Sequence, residues 1–152
     1  MALATGRRFL GFEFWTWKGE VRHAVAHKAL EAMKARVRQI TNCNGGRSLT
    51  QVAGELREYR LGWKAYFRLA RTPGIFQSLD EWIRHRLRAL QLKQCKRGTT
   101  IYRELRMRGA SEDVARQVAG NSRRWWRNSA MLLNTVLPIA YFDTLGVPRH
   151  AV

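Results

Sequence analysis

The sequence predicts a mainly α-helical protein that begins with a β-hairpin, continues as a three-helix bundle and ends in a small helical lobe. Apolar and polar residues alternate before residue 26, where the hydrophobic period lengthens to that of a helix. Three long stripes at helical spacing follow with short connections, which is typical of a bundle. The elements shorten after Gly98, so we predict three units: residues 1–25, 26–97 and 98–152.

The predicted hairpin covers residues 9–25, which are rich in aromatic and β-branched types and are interrupted by Lys18-Gly19. Because both faces carry apolar residues and a lone hairpin is marginal in water, we expect it to pack on the helices or on a further sheet. Strand alternation predicts one face of Leu10, Phe12 and Phe14 and another of Glu13, Trp15 and Trp17.

The first two helices are predicted from apolar stripes at helical spacing. The first covers residues 26–40. The second follows a turn, begins at a capping box formed by Ser48 and Gln51, and continues to about residue 70. Its stripe contains Gly62, which costs about 1 kcal/mol relative to alanine. We therefore expect close packing at this glycine.

The third helix is predicted over residues 76–94, because Thr72-Pro73-Gly74 ends the second. Residues 84–108 contain nine Lys or Arg and one acid, so this segment carries the densest positive charge of the chain. The predicted packing stripe consists of Leu79, Ile83, Leu87, Leu90 and Gln94. The cations predicted to project away from it are Arg84, Arg88 and Lys96.

The sequence of the last third of the chain predicts short helices joined by loops. A threonine at position 99 or 100 can cap a helix that ends at Gly109, and Ser111 can start another that ends near residue 120. Residues 121–127 predict a basic aromatic loop, and residues 139–145 a final short helix.

The charge balance predicts a polyanionic partner. The chain has 28 Lys and Arg against 11 Asp and Glu, a formal net charge of +17 that disfavours the compact state until a partner compensates it. Nucleic acid is the favoured partner. An anionic membrane surface is the alternative, disfavoured because several amphipathic segments are able to bury one another. No segment approaches the roughly 20 apolar residues of a membrane span, and no signal peptide is recognised.

Catalytic chemistry and cofactors are not predicted. Asp80, Asp113 and Asp143 fall in different elements, so no carboxylate pair for metal ions is visible. His23 and His27 fit structural or solvated roles better than metal binding. Unpaired Cys43 and Cys95 favour a reduced intracellular compartment. We therefore predict that the chain, as it stands, is not an enzyme.

The binding prediction rests on cations that lie near aromatic residues. Lys and Arg displace counterions from phosphates, and aromatic rings stack on unpaired bases. Trp125 and Trp126 are adjacent and cannot share one face, so one of them is expected to be exposed. The predicted nucleic-acid-binding residues are Lys34, Arg38, Arg47, Lys64, Arg68, Arg71, Arg84, Arg88, Lys93, Lys96, Arg97, Arg103, Arg106, Arg124, Trp125 and Arg127.

Short segments between residues 9 and 148 occur in a characteristic order and spacing. They are Phe9-Leu10-Gly11-Phe12, Ile40-Thr41, Gly62-Trp63, Trp82-Ile83-Arg84, Lys93-Gln94, Tyr102-Arg103-Glu104-Leu105, Trp126-Arg127 and Leu145-Gly146-Val147-Pro148. In this order they resemble the C-terminal part of bacterial group II intron reverse transcriptases, also called maturases. The chain departs from the family where Leu92 and Cys95 replace tryptophans, and where Asn42 and Cys43 replace basic residues.

The resemblance implies that the hairpin closes a polymerase palm, that the bundle is thumb-like, and that the last lobe binds nucleic acid. The family's catalytic aspartates lie in upstream fingers and palm segments that these residues do not include. The implied function is a cytoplasmic, bacterial RNA-binding maturase module that binds intron RNA and assists its folding and splicing. Target DNA or an RNA–DNA duplex is a further implied partner.

The sequence leaves three alternatives open. The chain is a thumb fragment of an RNA-directed DNA polymerase that works with an upstream fingers and palm polypeptide, or it is a truncated remnant without function. A helix-turn-helix regulator of duplex DNA is less favoured, because no recognition helix follows residues 99–120.

Overall fold

The computed structural model describes residues 7–42, 45–70, 72–131, 133–134 and 136–149. The predicted fold class is confirmed: an N-terminal hairpin precedes a mostly helical chain. The division into three units stays a prediction. In chain order the elements are β1 (Arg7–Phe9), β2 (Phe12–Trp17), β3 (Glu20–Val25), α1 (His27–Ile40), α2 (Leu49–Tyr66), α3 (Pro73–Cys95), α4 (Gly98–Met107), α5 (Glu112–Gly120), α6 (Trp125–Met131) and α7 (Ile139–Thr144).

The hairpin is formed by β2 and β3, which pair antiparallel with Trp17 opposite Glu20. Lys18 and Gly19 make the two-residue turn at φ values of 49° and 80°, the left-handed geometry that matches strand twist. A third strand, β1, pairs with β2. The prediction that Leu10 shares a strand face is wrong, because Leu10 lies in the turn between β1 and β2 and is 65% exposed.

One end of the sheet packs on the helices. The Phe12 ring centroid lies 5.0 Å from that of Phe67, and the Tyr66 hydroxyl donates to the Leu10 carbonyl over 2.8 Å. On the face that carries Trp15 and Trp17, these rings are 37% and 56% exposed. The sheet is therefore anchored at its base, and its two tryptophans are left at the surface.

The first two helices follow the predicted stripes. Buried residues of α1 include Met33 and Val37. The predicted capping box of α2 is confirmed: the Ser48 hydroxyl accepts from the Gln51 amide over 3.2 Å, and the Gln51 side chain accepts from the Ser48 amide over 2.9 Å. The helix ends at Tyr66, earlier than predicted.

The helix α3 starts at Pro73, earlier than predicted. Proline is favoured in the first helical turn, where its missing N–H has no intrahelical acceptor, so Pro73 begins one helix rather than merely ending another. The helix buries Leu79, Ile83, Leu87 and Leu90 as predicted. Gln94 is exposed instead, and its amide donates to the Arg47 carbonyl over 2.9 Å.

The surroundings of Gly62 and Gly98 correct two predictions, one on close packing and one on the start of α4. A Cβ at Gly62 would meet nothing within 4 Å, so the predicted close packing there is wrong. A Cβ at Gly98 would lie 2.7 Å from the Ala119 carbonyl oxygen. Only a glycine can approach α5 so closely. The helix α4 begins at this glycine, with Arg97 as its N-cap and no side-chain cap hydrogen bond. The predicted threonine cap is therefore wrong.

The C-terminal elements lie against α3 and extend the core. Ser111 caps α5 as predicted, accepting from the Val114 amide. The predicted loop is shorter than expected, since α6 begins at Trp125 and packs along α3. The final helix α7 occurs where it was predicted. Leu137 and Phe142 belong to the same hydrophobic core as the bundle.

The prediction that Arg84 and Arg88 project into solvent is wrong, because the C-terminal elements cover this side of α3. Both residues are buried, with exposures of 4% and 7%. Arg88 Nε donates to the Leu137 carbonyl over 3.0 Å, and its guanidinium lies 5.7 Å from the Phe142 ring centroid. The chain from α6 to α7 thus covers a side of α3 that a one-sided amphipathic helix would leave to water.

Among the described helices, none combines the length and the apolar character that a membrane crossing needs.

Candidate nucleic-acid interface

A groove lies between the end of α1, one stripe of α3 and the start of α6. Its volume is about 310 Å³. Its lining residues are Arg38, Thr41, Asn42, Arg86, Ala89, Lys93, Trp125 and Trp126. We call it the α3–α6 groove. The described residues that line it include three Lys or Arg and no aspartate or glutamate, so it is a positively charged surface feature.

The helix α3 contributes one continuous stripe to this region. Trp82, Arg86, Ala89 and Lys93 follow one another at spacings of four, three and four residues, which brings them onto one side of the helix. Ala89 has a small side chain at the place where Trp125 and Trp126 approach from α6. The sequence of α3 therefore determines the positive charge of the groove, through Arg86 and Lys93, and its width, through Ala89.

Cations and aromatic rings alternate along the groove and its edge. The Trp82 ring centroid is 5.5 Å from the Arg38 guanidinium and 5.4 Å from that of Arg86. The Arg86 guanidinium also lies 5.9 Å from the Trp126 ring, and Lys93 Nζ lies 5.3 Å from the Trp125 ring. At these distances a ring attracts the cation through its quadrupole. The rings thus help to position the cations.

Arg86 is also held by the end of α1. Its Nε donates to the Thr41 hydroxyl over 2.8 Å, and that hydroxyl donates to the Val37 carbonyl over 2.6 Å. Thr41 is buried, so this link is shielded from water. A side chain fixed in this way loses less conformational entropy when it binds a ligand.

Trp126 is the more exposed of the two adjacent tryptophans. It is 42% exposed, whereas Trp125 is half-buried and packs against the core. The Trp126 ring stacks on His85, with centroids 3.8 Å apart and an interplanar angle of 26°, and His85 Nε2 lies 2.8 Å from the Trp126 carbonyl oxygen. The exposed part of this indole is a platform on which an unpaired base can stack.

The groove brings together three of the residues predicted from the sequence, namely Arg38, Lys93 and Trp125. Lys34 lies beside it, because Lys34, Arg38 and Trp82 line an adjoining depression of about 430 Å³. Lys34 Nζ also lies 3.7 Å from a Glu31 carboxylate oxygen. These four residues form the part of the predicted site that the fold assembles.

Other predicted residues make contacts within the protein. Arg47 pairs with Glu55 and donates to the Ile40 carbonyl over 2.9 Å. Lys64 Nζ donates to the Arg149 carbonyl over 2.9 Å, and Arg106 Nη1 to the Ala110 carbonyl over 2.8 Å. Exposed predicted residues that do not line the groove are Arg68, Lys96, Arg97, Arg103, Arg124 and Arg127. Arg71 lies outside the described residues, and Arg84 and Arg88 are buried.

Sequence reasoning missed several residues of this surface. Trp82 and Arg86 are four residues apart on one helix, a spacing that could have identified their contact. The predicted set contains Trp125, whereas the more exposed tryptophan is Trp126, because adjacency in the sequence does not reveal which of the two faces solvent. The link between Arg86 and Thr41 joins residues that are distant in the chain, and no local pattern signals it.

Metal ligation is not indicated at this surface. Across the part of the chain that the structure describes, no three His, Cys, Asp or Glu side chains are grouped closely enough to hold an ion. The groove itself presents cations and indole rings.

Comparison with known families places the α1 and α3 side of this surface in a recognised domain, whereas Trp125 and Trp126 lie outside the matched residues. The family model described as "Group II intron, maturase-specific domain" matches residues 30–109, more than half of the chain. The matched region includes Arg38, Trp82, Arg86 and Lys93. No curated protein matches the chain.

Proposed function

The chain belongs to the group II intron maturase-specific domain family, and on this premise we propose that it binds structured group II intron RNA and assists its folding and splicing. The observation that carries the proposal is the α3–α6 groove, where cations and indoles alternate. The net charge of +17 supports it, because a polyanion would relieve the self-repulsion of the folded chain.

The proposed binding mode combines phosphate contact with base stacking. Arg38, Arg86 and Lys93 neutralise phosphates and release counterions. Trp126 stacks on a base that is unpaired in a loop or bulge, the regions where proteins most often reach RNA bases. Shape and phosphate contacts then dominate over sequence readout. Because the protein binds the folded RNA in preference to unfolded RNA, mass action stabilises the arrangement that splices.

The finer assignments also belong to this proposal. We propose that the hairpin is the end of a polymerase palm, that residues 26–97 form the thumb, and that residues 98–152 form a nucleic-acid-binding lobe in a bacterial cytoplasmic protein. Support comes from the family match, which begins only a few residues after the hairpin. Target DNA or an RNA–DNA duplex is a further proposed partner. We propose no catalytic residue or cofactor.

A gel-shift series at several salt concentrations tests the binding function. If about six cations contact phosphates, the logarithm of the association constant should fall against the logarithm of salt concentration with a slope of about −4 to −5. Structured intron RNA should bind more tightly than an arbitrary RNA duplex of equal length. A flat salt response, or equal affinity for both RNAs, would contradict the proposal.

The exposed face of the hairpin favours a second candidate, in which an upstream fingers and palm polypeptide joins this chain to form an RNA-directed DNA polymerase. Trp15 and Trp17 lie on this face, and exposed apolar patches of this kind mark contacts with other proteins. Adding such a polypeptide should restore primer extension on an RNA template, and Trp15→Lys should reduce it. Extension at the level of the upstream polypeptide alone would reject this candidate.

A further inference from the structure

A larger cleft lies on the neighbouring side of α3, between this helix and the chain from α6 to Arg149. Its volume is about 900 Å³. Polar side chains that line it include Arg84, Arg88, His85 and Asn134. Pro138 and Ile139 contribute apolar surface. The cleft therefore has a cationic wall and an apolar wall.

The buried charges beside this cleft do not balance. Arg60, Arg84 and Arg88 are buried with Asp80, so three guanidinium groups face one carboxylate among the charged residues that the described chain buries. Asp80 already accepts a hydrogen bond from Arg60 Nη2. Burial of a charge is costly unless a partner of opposite sign compensates it. Arg84 and Arg88 on α3 are thus buried with no second buried carboxylate among the described residues, and the nearby Asp143 carboxylate, whose pKa its hydrogen bond to Arg149 and the charges of Arg84 and Arg60 lower, compensates them only from the rim.

Arg84 has donors that are directed to no acceptor. Its Nε and Nη2 atoms are buried and make no hydrogen bond. These two N–H groups are parallel on one edge of the guanidinium, and that edge matches two oxygens of a phosphate or carboxylate. A buried donor without an acceptor destabilises the fold. The Arg84 edge can therefore serve as one half of a bidentate contact once a small movement of the side chain opens it to the cleft, because both atoms are closed to water in this structure.

The pKa values of Arg88 and Arg60 are lowered, first by burial and in part because Arg84 repels both guanidinium groups. Burial, followed by the charge of Arg84, lowers the pKa of Arg88. Burial lowers the pKa of Arg60 to about 10, and Arg84 contributes to this shift against the opposing effect of Asp80. An anion bound beside Arg84 would relieve this repulsion.

The carboxylates at the cleft are already engaged or exposed. Asp143 pairs with Arg149 at the rim. Glu81 lines the cleft but is exposed, with its Oε1 atom 3.4 Å from the Gln77 amide nitrogen. Neither hydrogen-bonds to the buried Nε and Nη2 atoms of Arg84.

We propose that this cleft binds a phosphate group, with Arg84 donating through Nε and Nη2 to two phosphate oxygens and Arg88 supplying the second positive charge. The phosphate is that of a nucleotide or of the RNA backbone, and the apolar wall near Ile139 receives its ribose or base. This proposal does not depend on the proposed RNA-binding function, since phosphate alone is sufficient to occupy the site.

Thermal unfolding of the whole chain tests the site without RNA. At constant ionic strength, inorganic phosphate should raise the melting temperature saturably relative to acetate, by about 5–10 °C at a concentration 100-fold above the dissociation constant. The variant Arg84→Met should melt in acetate at the same temperature as the unmodified protein or higher, because it removes a buried repulsive charge, and it should lose the response to phosphate. The control Arg116→Met removes an exposed charge on α5, at a residue outside the predicted binding set, and should keep the response.

Two results would overturn the proposal: an Arg84→Met protein that retains the phosphate response, or an unmodified protein whose melting temperature rises no more in phosphate than in acetate. If Arg84→Met does not fold, saturable broadening of the phosphorus-31 signal by the unmodified protein replaces it, and an absence of saturation rejects the site.

Adenosine monophosphate, adenosine, and RNA with and without a terminal phosphate then distinguish a nucleotide from the RNA backbone. The melting experiments with inorganic phosphate contain no RNA. A negative result in them therefore rejects the phosphate site without bearing on the proposed RNA-binding function.

Discussion

Asp80→Asn is expected to lower the free energy of unfolding by about 3–5 kcal/mol, the range typical of removing one partner from a buried ion pair. Asparagine keeps the size of the side chain but removes the negative charge that faces Arg60. Arg60, Arg84 and Arg88 would then be buried without a carboxylate among them. Urea unfolding followed by circular dichroism measures the change.

The control for this prediction is Asp113→Asn, which removes an exposed carboxylate from the first turn of α5. Its loss of helix-dipole stabilisation should cost no more than about 1 kcal/mol. The double change Arg60→Met with Asp80→Leu should recover most of the stability lost in Asp80→Asn, because apolar residues of similar volume replace both charges. If Asp80→Asn and Asp113→Asn destabilise equally, the buried pair does not have the role assigned to it.

Local sequence signals predicted most of the helical framework. Apolar stripes located the helices of the bundle, and the capping box at Ser48 located the start of α2 within one residue. Lys18-Gly19 located the hairpin turn. These features depend on residues that are close in the chain, so a sequence pattern contains the information that forms them.

The buried arginines of α3 could not be predicted in the same way. A helical wheel assigns one packing side to a helix, whereas α3 is covered both by the bundle and by the chain from α6 to α7. Arg88 contacts Leu137 and Phe142, which are about fifty residues away in the chain. Only that distant contact turns an apparently solvated cation into a buried one.

The candidate interface was predicted in part. Its composition was visible, since cations and tryptophans are concentrated in these segments. The sequence predicts a loop over residues 121–127, whereas α6 already begins at Trp125. A seven-residue segment lacks the length to form a stable helix by itself. Packing against α3 makes it helical and brings Trp126 next to Arg86. Tertiary contact here overrides local propensity.

We propose that intron RNA binds at the α3–α6 groove and not through positive charge in general. The double variant Arg86→Gln with Trp126→Ala removes one phosphate contact and one stacking platform. Stacking is worth about 1–3 kcal/mol per base and a charge-assisted hydrogen bond about 1.5–3 kcal/mol. We therefore expect a loss of affinity of about 100-fold. The matched control Arg116→Gln with Trp17→Ala removes the same residue types from the exposed surface elsewhere.

The most direct test is the ratio of dissociation constants of these two variants for structured intron RNA, at one salt concentration and with both proteins verified as folded by thermal melting. The expected result is that the groove variant binds about 100-fold more weakly than the control, which should stay within about threefold of the unmodified protein. Equal weakening of both variants would contradict it, because general positive charge would then suffice to explain binding.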